Sequence, residues 1–426
     1  MADTGYVYPS VRSAPERVAA PAEHVPKRVL SQNLLALGFT SFFTDISSEM
    51  VLAVVPLFLT ASLGFSIVGF GLFEAAYQGT NAVFRIWGGA IADHRQNHKR
   101  TAATGYAIST ATRVGLVIST FVAAIPAVPF LLADRIGKGM RTAPRDALIS
   151  LSTHPARLGT AFGIHRSLDT AGAVLGPLLA FVILDQAPGQ FDAVFVMSAI
   201  AGVIGVAIIV TFAQEKPQTV PKPTNRPAIL AQWREVLSVP GMKGLALGAA
   251  ALSAFTVSDA FVYLIIQRTT DMSARYFPLL FVGTALVYLT TAVPVGRLAD
   301  RVGARPVFLA GHICLVVLYL LLGFGELGLV VSLLALGLLG GYYAATDGVV
   351  AALASRLVHA PVRATGIALI TVVIALARMV SAGMFGLLWQ TQGRAEALTV
   401  YVIAMVAAIA VGYRCIPSDL SARAET

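Results

Sequence analysis

Charge is scarce in this sequence: only 12% of its 426 residues are Asp, Glu, Lys or Arg, where soluble chains carry about 25%. An ordinary soluble domain is thereby excluded. Cysteine is scarcer still. The two present, Cys314 and Cys415, fall in or at the end of different apolar segments, which rules out a disulfide framework and leaves no thiol pair for a metal. Period-two alternation over ten-residue stretches is also missing, which excludes a transmembrane β-barrel. The first 30 residues hold four prolines and two glutamates but no apolar core followed by small residues. They read as a retained tail and not as a cleaved leader.

Apolar side chains are what the chain has in abundance, at 56% of residues and a mean hydropathy of +0.75. They come in runs such as 244–261, 307–324, 327–345 and 400–412. A helix crosses a bilayer with about 20 mostly apolar residues. Segments that qualify or nearly do lie at 33–61, 67–91, 101–123, 127–149, 158–184, 191–213, 243–267, 276–299, 306–323, 328–353, 364–390 and 397–414. The expected class is an all-α membrane protein of twelve transmembrane helices, working as a monomer in a lipid bilayer.

Lysine and arginine gather in alternate connections. Those after the second, fourth, sixth, eighth and tenth spans hold Arg95, Lys99, Arg100, Arg141, Arg145, Arg157, Lys216, Lys222, Arg226, Arg234, Arg301, Arg305, Arg356 and Arg363. Connections 62–66, 124–129, 185–190 and 325–328 hold none, and only Arg268, Arg275 and Arg394 sit on that side. The positive-inside rule then puts both termini in the cytoplasm, with the chain in the cytoplasmic (inner) membrane. It also explains the net charge of +9 as topology. Basic residues scattered over short loops, with no aromatic platform, exclude a nucleic-acid partner.

The chain repeats itself weakly. Gly89-Ala-Ile-Ala-Asp93 returns as Gly296-Arg-Leu-Ala-Asp300, and Arg157 has its counterpart in Arg363. The expected organisation is a cytoplasmic tail (1–32), a first six-helix bundle (33–213), a cytoplasmic linker (214–242), a second six-helix bundle (243–414) and a cytoplasmic tail (415–426). Within the linker Ile229, Leu230, Trp233, Val236 and Leu237 share one helical face. That suits a short helix on the membrane surface; a plain connection is the other reading.

On these residues the sequence resembles the major facilitator superfamily along nearly its whole length. The loop signature Gly-x-x-x-Asp-Arg-x-Gly-x-Arg/Lys stands as Gly296, Asp300, Arg301, Gly303 and Arg305. Its first-half copy keeps Gly89 and Asp93 but lacks the turn glycine, a place Asn97 would fill in a left-handed conformation. Asp134-Arg135-Ile-Gly-Lys-Gly139 is similar to the family's membrane-buried arginine motif. Gly163, Gly172, Gly176 and Pro177 resemble the signature of its antiporter branches, with Ala180 and Phe181 in place of the trailing glycines. The stretches Phe42–Met50, Asp134–Leu148 and Tyr342–Gly348 match a bacterial subgroup of presumed exporters more tightly. The resemblance implies two pseudo-symmetric six-helix bundles, a substrate path between them, a gate latch at Asp93, Asp300 and the adjoining arginines, and proton antiport.

Ionisable groups cost about 2.5–3.5 kcal/mol each at mid-bilayer on insertion scales. The spans nevertheless contain Asp45, Glu49, Glu74, Asp169 and Asp259 together with Arg85, Arg113, Arg135, Arg166 and Arg378. Such a set must line a polar interior. Asp45 and Glu49 are four apart on one helix face, as are His165 and Asp169, and Glu74, Gln78, Asn81 and Arg85 form a polar stripe. Asp45 or Glu49 is the expected proton carrier, with Asp169 a further candidate and Arg135 a partner. Glu74 with Arg85 reads first as a structural pair and only second as part of the substrate path. Tyr342 and Tyr343 would stack on a substrate or simply fill the core.

Other motifs carry nothing. Gly323-Phe-Gly325-Glu-Leu-Gly328 matches a dinucleotide fingerprint but follows no strand, and Gly139 stands after Lys138 where a phosphate-binding loop needs Ser or Thr. His94 and His98 beside Asp93 lie in a basic exposed loop, so no metal is expected. No cofactor is implied, and no nucleophile–base pair suggests an enzyme. The expected function is a proton-coupled exporter of a small organic solute. A nutrient symporter and a non-transporting membrane receptor are the alternatives. The balance of buried arginines and acids inclines weakly toward an anionic or zwitterionic solute.

Overall fold

The computed structural model describes residues 31–95, 97–122, 126–154, 157–215, 229–326, 328–358 and 363–418; of 85–95, 159, 229–230 and 363–364 only the backbone is described. No strand occurs among the described residues. In chain order the α-helices are α1 (Gln32–Leu52), α2 (Val55–Leu57), α3 (Ile67–Arg95), α4 (His98–Phe121), α5 (Val128–Leu151), α6 (Leu158–Gln186), α7 (Phe191–Phe212) and α8 (Ile229–Ser238). There follow α9 (Met242–Ser253), α10 (Asp259–Thr269), α11 (Phe277–Val302), α12 (Ala304–Phe324), α13 (Leu329–Leu357), α14 (Arg363–Gln392) and α15 (Arg394–Cys415).

By length and composition, eight helical stretches among the described residues can cross a membrane, or nine if the bent pair α8–α9 counts as one. Three more helices, α3, α4 and α5, are 29, 24 and 24 residues long. At about 1.5 Å per residue each is as long as the roughly 30 Å hydrocarbon core. In α3 and α4 neutral polar residues such as Gln78, Asn81, Thr110 and Thr112 lower the hydropathy along with Glu74 and Arg113; in α5 the run of charges from Asp134 to Arg145 does so.

Helix ends follow local chemistry. The Ser31 hydroxyl accepts from the Leu34 amide and starts α1. The left-handed turn expected at Asn97 does not form: its φ is −128°, and its side chain accepts from the Arg100 amide, capping α4. An asparagine that caps satisfies an orphan helix amide, so no turn strain is needed. In the second copy Gly303 does carry the turn, at φ 100°. The first span and the one after the linker are both interrupted. α1 gives way at Ala53 to α2 with Pro56 and a π-helical turn, Phe58–Ser62. α9 stops at Ser253, and α10 resumes at Asp259.

α1 packs on α6 and α7, α4 on α5 and α7, and α3 on α5; beyond the linker α12 packs on α13 and α15, α11 on α13, and α9 on α14 and α15. A Cβ on Gly172 would lie 2.4 Å from the Phe42 carbonyl oxygen, and one on Gly176 2.8 Å from that of Ile46. These glycines let α6 seat directly on α1, as small residues do in membrane bundles. Nothing lies within 4 Å of such a Cβ on Gly163 or Gly296. In α8, Val236 is wholly buried, and Trp233 and Leu237 pack against the core. Gly241, at φ 81°, then turns the chain into α9 through a bend of 102°.

The two sets of helices meet through α3 with α14 and through α6 with α11. The Ile67 amide donates to Gln390 Oε1 at 3.1 Å, Arg275 Nη1 lies 3.2 Å from Asp185 Oδ1, and the Phe181 and Tyr276 rings stack. These contacts sit at the end holding the start of α3, the end of α6, the start of α11 and the end of α14, where the connections are poor in lysine and arginine.

Candidate functional site

α5 organises the charges. Asp134, Lys138, Arg141 and Arg145 fall at i, i+4, i+7 and i+11, one stripe of the helix. A Cβ on Gly137 of that helix would lie 2.6 Å from the Gly105 carbonyl oxygen, so α5 and α4 touch backbone to backbone. That brings Asp134 to Arg113 of α4 at 2.8 Å, while Arg135 pairs with the other oxygen of the same carboxylate. Arg113 also donates to Ser48 at 3.1 Å, and the Arg135 guanidinium lies 4.4 Å from the Tyr77 ring centroid. All three charged groups are buried.

Two turns along the stripe from Asp134, Arg141 Nη2 lies 3.7 Å from Asp45 Oδ1; Arg141 also donates to Ser109 at 3.2 Å and covers the Tyr106 ring. A further turn on, Arg145 reaches Asp169 at 3.5 Å, Asp146 at 3.0 Å and the Ser41 hydroxyl at 3.3 Å. The carboxyls of Asp45 and Asp169 are in hydrogen-bond contact with each other. His165 is wholly buried one turn before Asp169, its Nε2 3.4 Å from Ser41 Oγ, which also meets the Tyr106 hydroxyl at 3.1 Å. Arg166 reaches Asp169 at 3.6 Å from a side chain 64% exposed. Glu49 pairs with Lys138 at 3.8 Å.

Two expectations change here. Arg135 is not the partner of Asp45 or Glu49: it sits about 100° off the α5 stripe and is held by Asp134, so Arg141 and Lys138 take those roles. Arg141 and Arg145 are not loop charges, because α5 runs on to Leu151 and buries both. The spacing on α5 is the signal that could have added Lys138, Arg141 and Arg145 to the candidates, since they pair with Glu49, Asp45 and Asp169.

The opposite wall comes from α10, α13 and α14. Arg378 Nη2 donates to the Tyr342 hydroxyl at 2.8 Å, while its buried Nε has no partner. Tyr343 lies beside Tyr342, with ring centroids 5.3 Å apart, and His312 faces Tyr342 at the same separation. Asp259 opens α10 and accepts from the Ala260 amide. It is an electrostatic neighbour of Arg378 and of Asp347, the acid of the 342–348 stretch, and also of Glu49 and Glu74 across the interface. Glu74 accepts a hydrogen bond from Gln78 at 3.1 Å. Tyr288 of α11 is an electrostatic neighbour of both Asp347 and Arg166. Asp259 of the second half is thus within electrostatic reach of Glu49 and Glu74 of the first.

The signature loops are arranged differently. Asp300 meets Arg356 at 3.5 Å, an exposed pair internal to the second half. Arg305 donates to the Tyr413 carbonyl oxygen and covers the Tyr413 ring. Arg301 is exposed at the end of α11. The side chains of Arg85, Gly89, Asp93 and His94 lie outside the described residues.

A family model, the Major Facilitator Superfamily, matches residues 37–382. An uncharacterized MFS-type transporter of Methanocaldococcus jannaschii is 30% identical over 391 residues, covering 90% of this chain and 94% of that protein. Among solved structures, a bacterial homologue of the human lysosomal transporter Spinster, in an inward-facing and occupied conformation, superposes with a TM-score of 0.71 at 15% identity. It covers 91% of this chain and 97% of its own. The nucleoside transporter NupG superposes with a TM-score of 0.67 at 14% identity, over 90% and 98%. At such identities the two structures share a fold with this chain and nothing finer.

Proposed function

The chain belongs to the major facilitator superfamily, and from that premise we propose that it is a proton-coupled secondary transporter that exports a small organic solute by alternating access. α3, α4, α5 and the interrupted pair α9–α10 complete twelve spans in this reading, with both termini in the cytoplasm of a cell whose inner membrane holds the protein. Fold does not choose substrate or direction; the site has to supply them.

The observation that carries the reading is the placement of charge relative to closure. The halves touch at the end poor in lysine and arginine, which the positive-inside rule assigns to the outside. Charged side chains from both halves are electrostatic neighbours further along the same helices. This is the arrangement of a transporter open to the cytoplasm, with its site at the interface of repeats. The Asp45–Asp169 pair supports proton coupling. Two carboxyls in hydrogen-bond contact hold one proton between them, and Arg141 and Arg145 compete for the same oxygens. Sliding α1 against α5 and α6 would exchange the proton for an arginine.

Inside-out vesicles with an imposed pH gradient test this. Addition of an exported solute collapses the gradient in wild-type vesicles and not in Asp45→Asn or Asp169→Asn vesicles. Solute-dependent proton flux that survives both substitutions would sink the assignment. Uptake running with the proton would replace export by symport.

A further inference from the structure

We propose that the wall formed by Glu74, Asp259, Asp347 and Arg378 binds an organic cation, for which protons compete; this rests on the transporter reading above. Four acids in the core of the first half have counter-ions: Asp45 has Arg141, Glu49 has Lys138, Asp134 has Arg113 and Arg135, and Asp169 has Arg145. Glu74, Asp259 and Asp347 differ. Among the described residues none has a cation within ion-pair distance. Glu74 is only 6% exposed, and its hydrogen bond comes from the neutral amide of Gln78. Asp259 accepts from a backbone amide of its own helix.

These carboxyls converge. Asp259 is the electrostatic neighbour of both Glu74 and Asp347. Two cations act on them: Arg378 on Asp259 and Asp347, and Arg135 on Glu74. Arg378 spends a hydrogen bond on the Tyr342 hydroxyl and leaves its Nε unmatched, while Arg135 is paired with Asp134. With Asp134 counted against Arg113 and Arg135, four carboxylates share three guanidiniums, which leaves one negative charge unmatched in a wall rich in tyrosine. Unpaired charge at this depth requires a neutralising partner, and a proton or a cationic solute can each supply it. An anion meets like charge and is rejected. Tyr343 and Tyr263 lie beside Asp259, and aromatic faces next to a carboxylate are what hold organic ammonium groups. The inclination toward an anionic or zwitterionic solute, drawn from the balance of buried arginines and acids, gives way here because Arg113 and Arg135 are paired with Asp134 and Arg166 with Asp169.

Equilibrium binding to the purified full-length protein tests the site with two pairs of probes: tetraphenylphosphonium against tetraphenylborate, and benzyltrimethylammonium against benzylphosphonate. At least one cation is expected to bind about tenfold or more tightly than its anionic counterpart. Its affinity should fall as pH falls, by up to about tenfold per pH unit for each proton displaced. Glu74→Gln and Asp259→Asn, each verified as folded by an unchanged gel-filtration profile and thermal midpoint, should each weaken that cation about tenfold. Binding of neither cation, equal binding within both pairs, preference for the anions, or full cation affinity in the folded double variant would each overturn the proposal. Cation binding without gradient-driven flux would leave the site standing and remove the transporter reading. Flux confined to anions would do the reverse.

Discussion

Gly71 of α3 and Gly386 of α14 meet backbone to backbone: a Cβ built on either would lie 3.0 Å from the Cα of the other. On Gly71 it would also fall 2.9 Å from the Ala382 carbonyl oxygen. This contact belongs to the closed end of the molecule, beside the Phe70–Phe261 ring pair and the Ile67–Gln390 hydrogen bond.

A side chain at Gly386 should therefore wedge the closed end apart. Overpacking of a tight contact costs about 1–3 kcal/mol, enough to shift a two-state balance by about five- to a hundredfold. Gly386→Val is expected to favour the state open at that end while leaving each bundle folded. The reading is the rate at which a cysteine placed at Phe70 reacts with a membrane-impermeant maleimide, with Cys314 and Cys415 replaced by serine. Faster labelling than in the Gly386 parent supports the wedge. Equal labelling with an unchanged thermal midpoint would mean that the helices separate elsewhere.

Asp134 gives the clearest stability prediction. Its carboxylate neutralises Arg113 and Arg135 at once in a buried setting. Removing one partner of a buried ion pair costs about 3–5 kcal/mol, because the remaining charge stays unpaired. Asp134→Ala should lower the thermal midpoint in detergent sharply and reduce yield. Glu49→Gln should do little, since the pair with Lys138 is wider, at 3.8 Å, and partly exposed; such pairs contribute about 0–1 kcal/mol. Similar midpoints for the two variants would contradict this ordering.

Much of this charge arrangement is legible in the sequence, and its limits have a physical cause. Long apolar runs report helices because burial in lipid leaves the backbone no other partner. The 3.6-residue period alone sets Asp45 with Glu49, and Glu74 with Gln78, on shared helix faces. Partner choice is different. Arg135 is the expected partner of Asp45 or Glu49, yet Asp45 meets Arg141. Pairing is decided by helix rotation and by the close seating of Gly137 on Gly105, which no single helix encodes. Asp347 carries no such periodic signal, because its relation to Asp259 and Arg378 arises from three separate helices. The turn at Asn97 fails for a local reason: a side chain able both to cap and to turn does the former.

The Arg275–Asp185 pair joins the halves at the closed end, with side chains 40% and 39% exposed. In that setting its contribution is about 0.2–1 kcal/mol and falls with salt. Arg275→Asp should shift the balance toward the state open at that end by up to about fivefold at low ionic strength. The swap Arg275→Asp with Asp185→Arg should restore it. Labelling of the Phe70→Cys reporter at about 10 mM and about 500 mM salt separates the cases (roughly 30 Å against a few ångströms of screening length). A shift that survives high salt would assign Arg275 a packing role, through the Tyr276 ring that its guanidinium covers.

Arg145 ties three elements together, touching Asp146 of its own helix, Asp169 of α6 and Ser41 of α1. A planar fork with several donors can hold these positions at once; a lysine ammonium keeps the charge but not the geometry. Arg145→Lys is therefore expected to stay folded, with a thermal midpoint near that of the wild type, because the buried carboxylates still face a cation. Proton-coupled flux should nevertheless fall about tenfold or more, since the exchange of Asp169 between Arg145 and Asp45 depends on that guanidinium reaching both Ser41 and Asp169. Arg145→Gln should lose both fold stability and flux, the former by about 3–5 kcal/mol. The split between the two variants is the informative quantity. If Arg145→Lys transports at the wild-type rate, the arginine serves only to neutralise charge, and proton exchange must be sought at Glu49 and Lys138 instead.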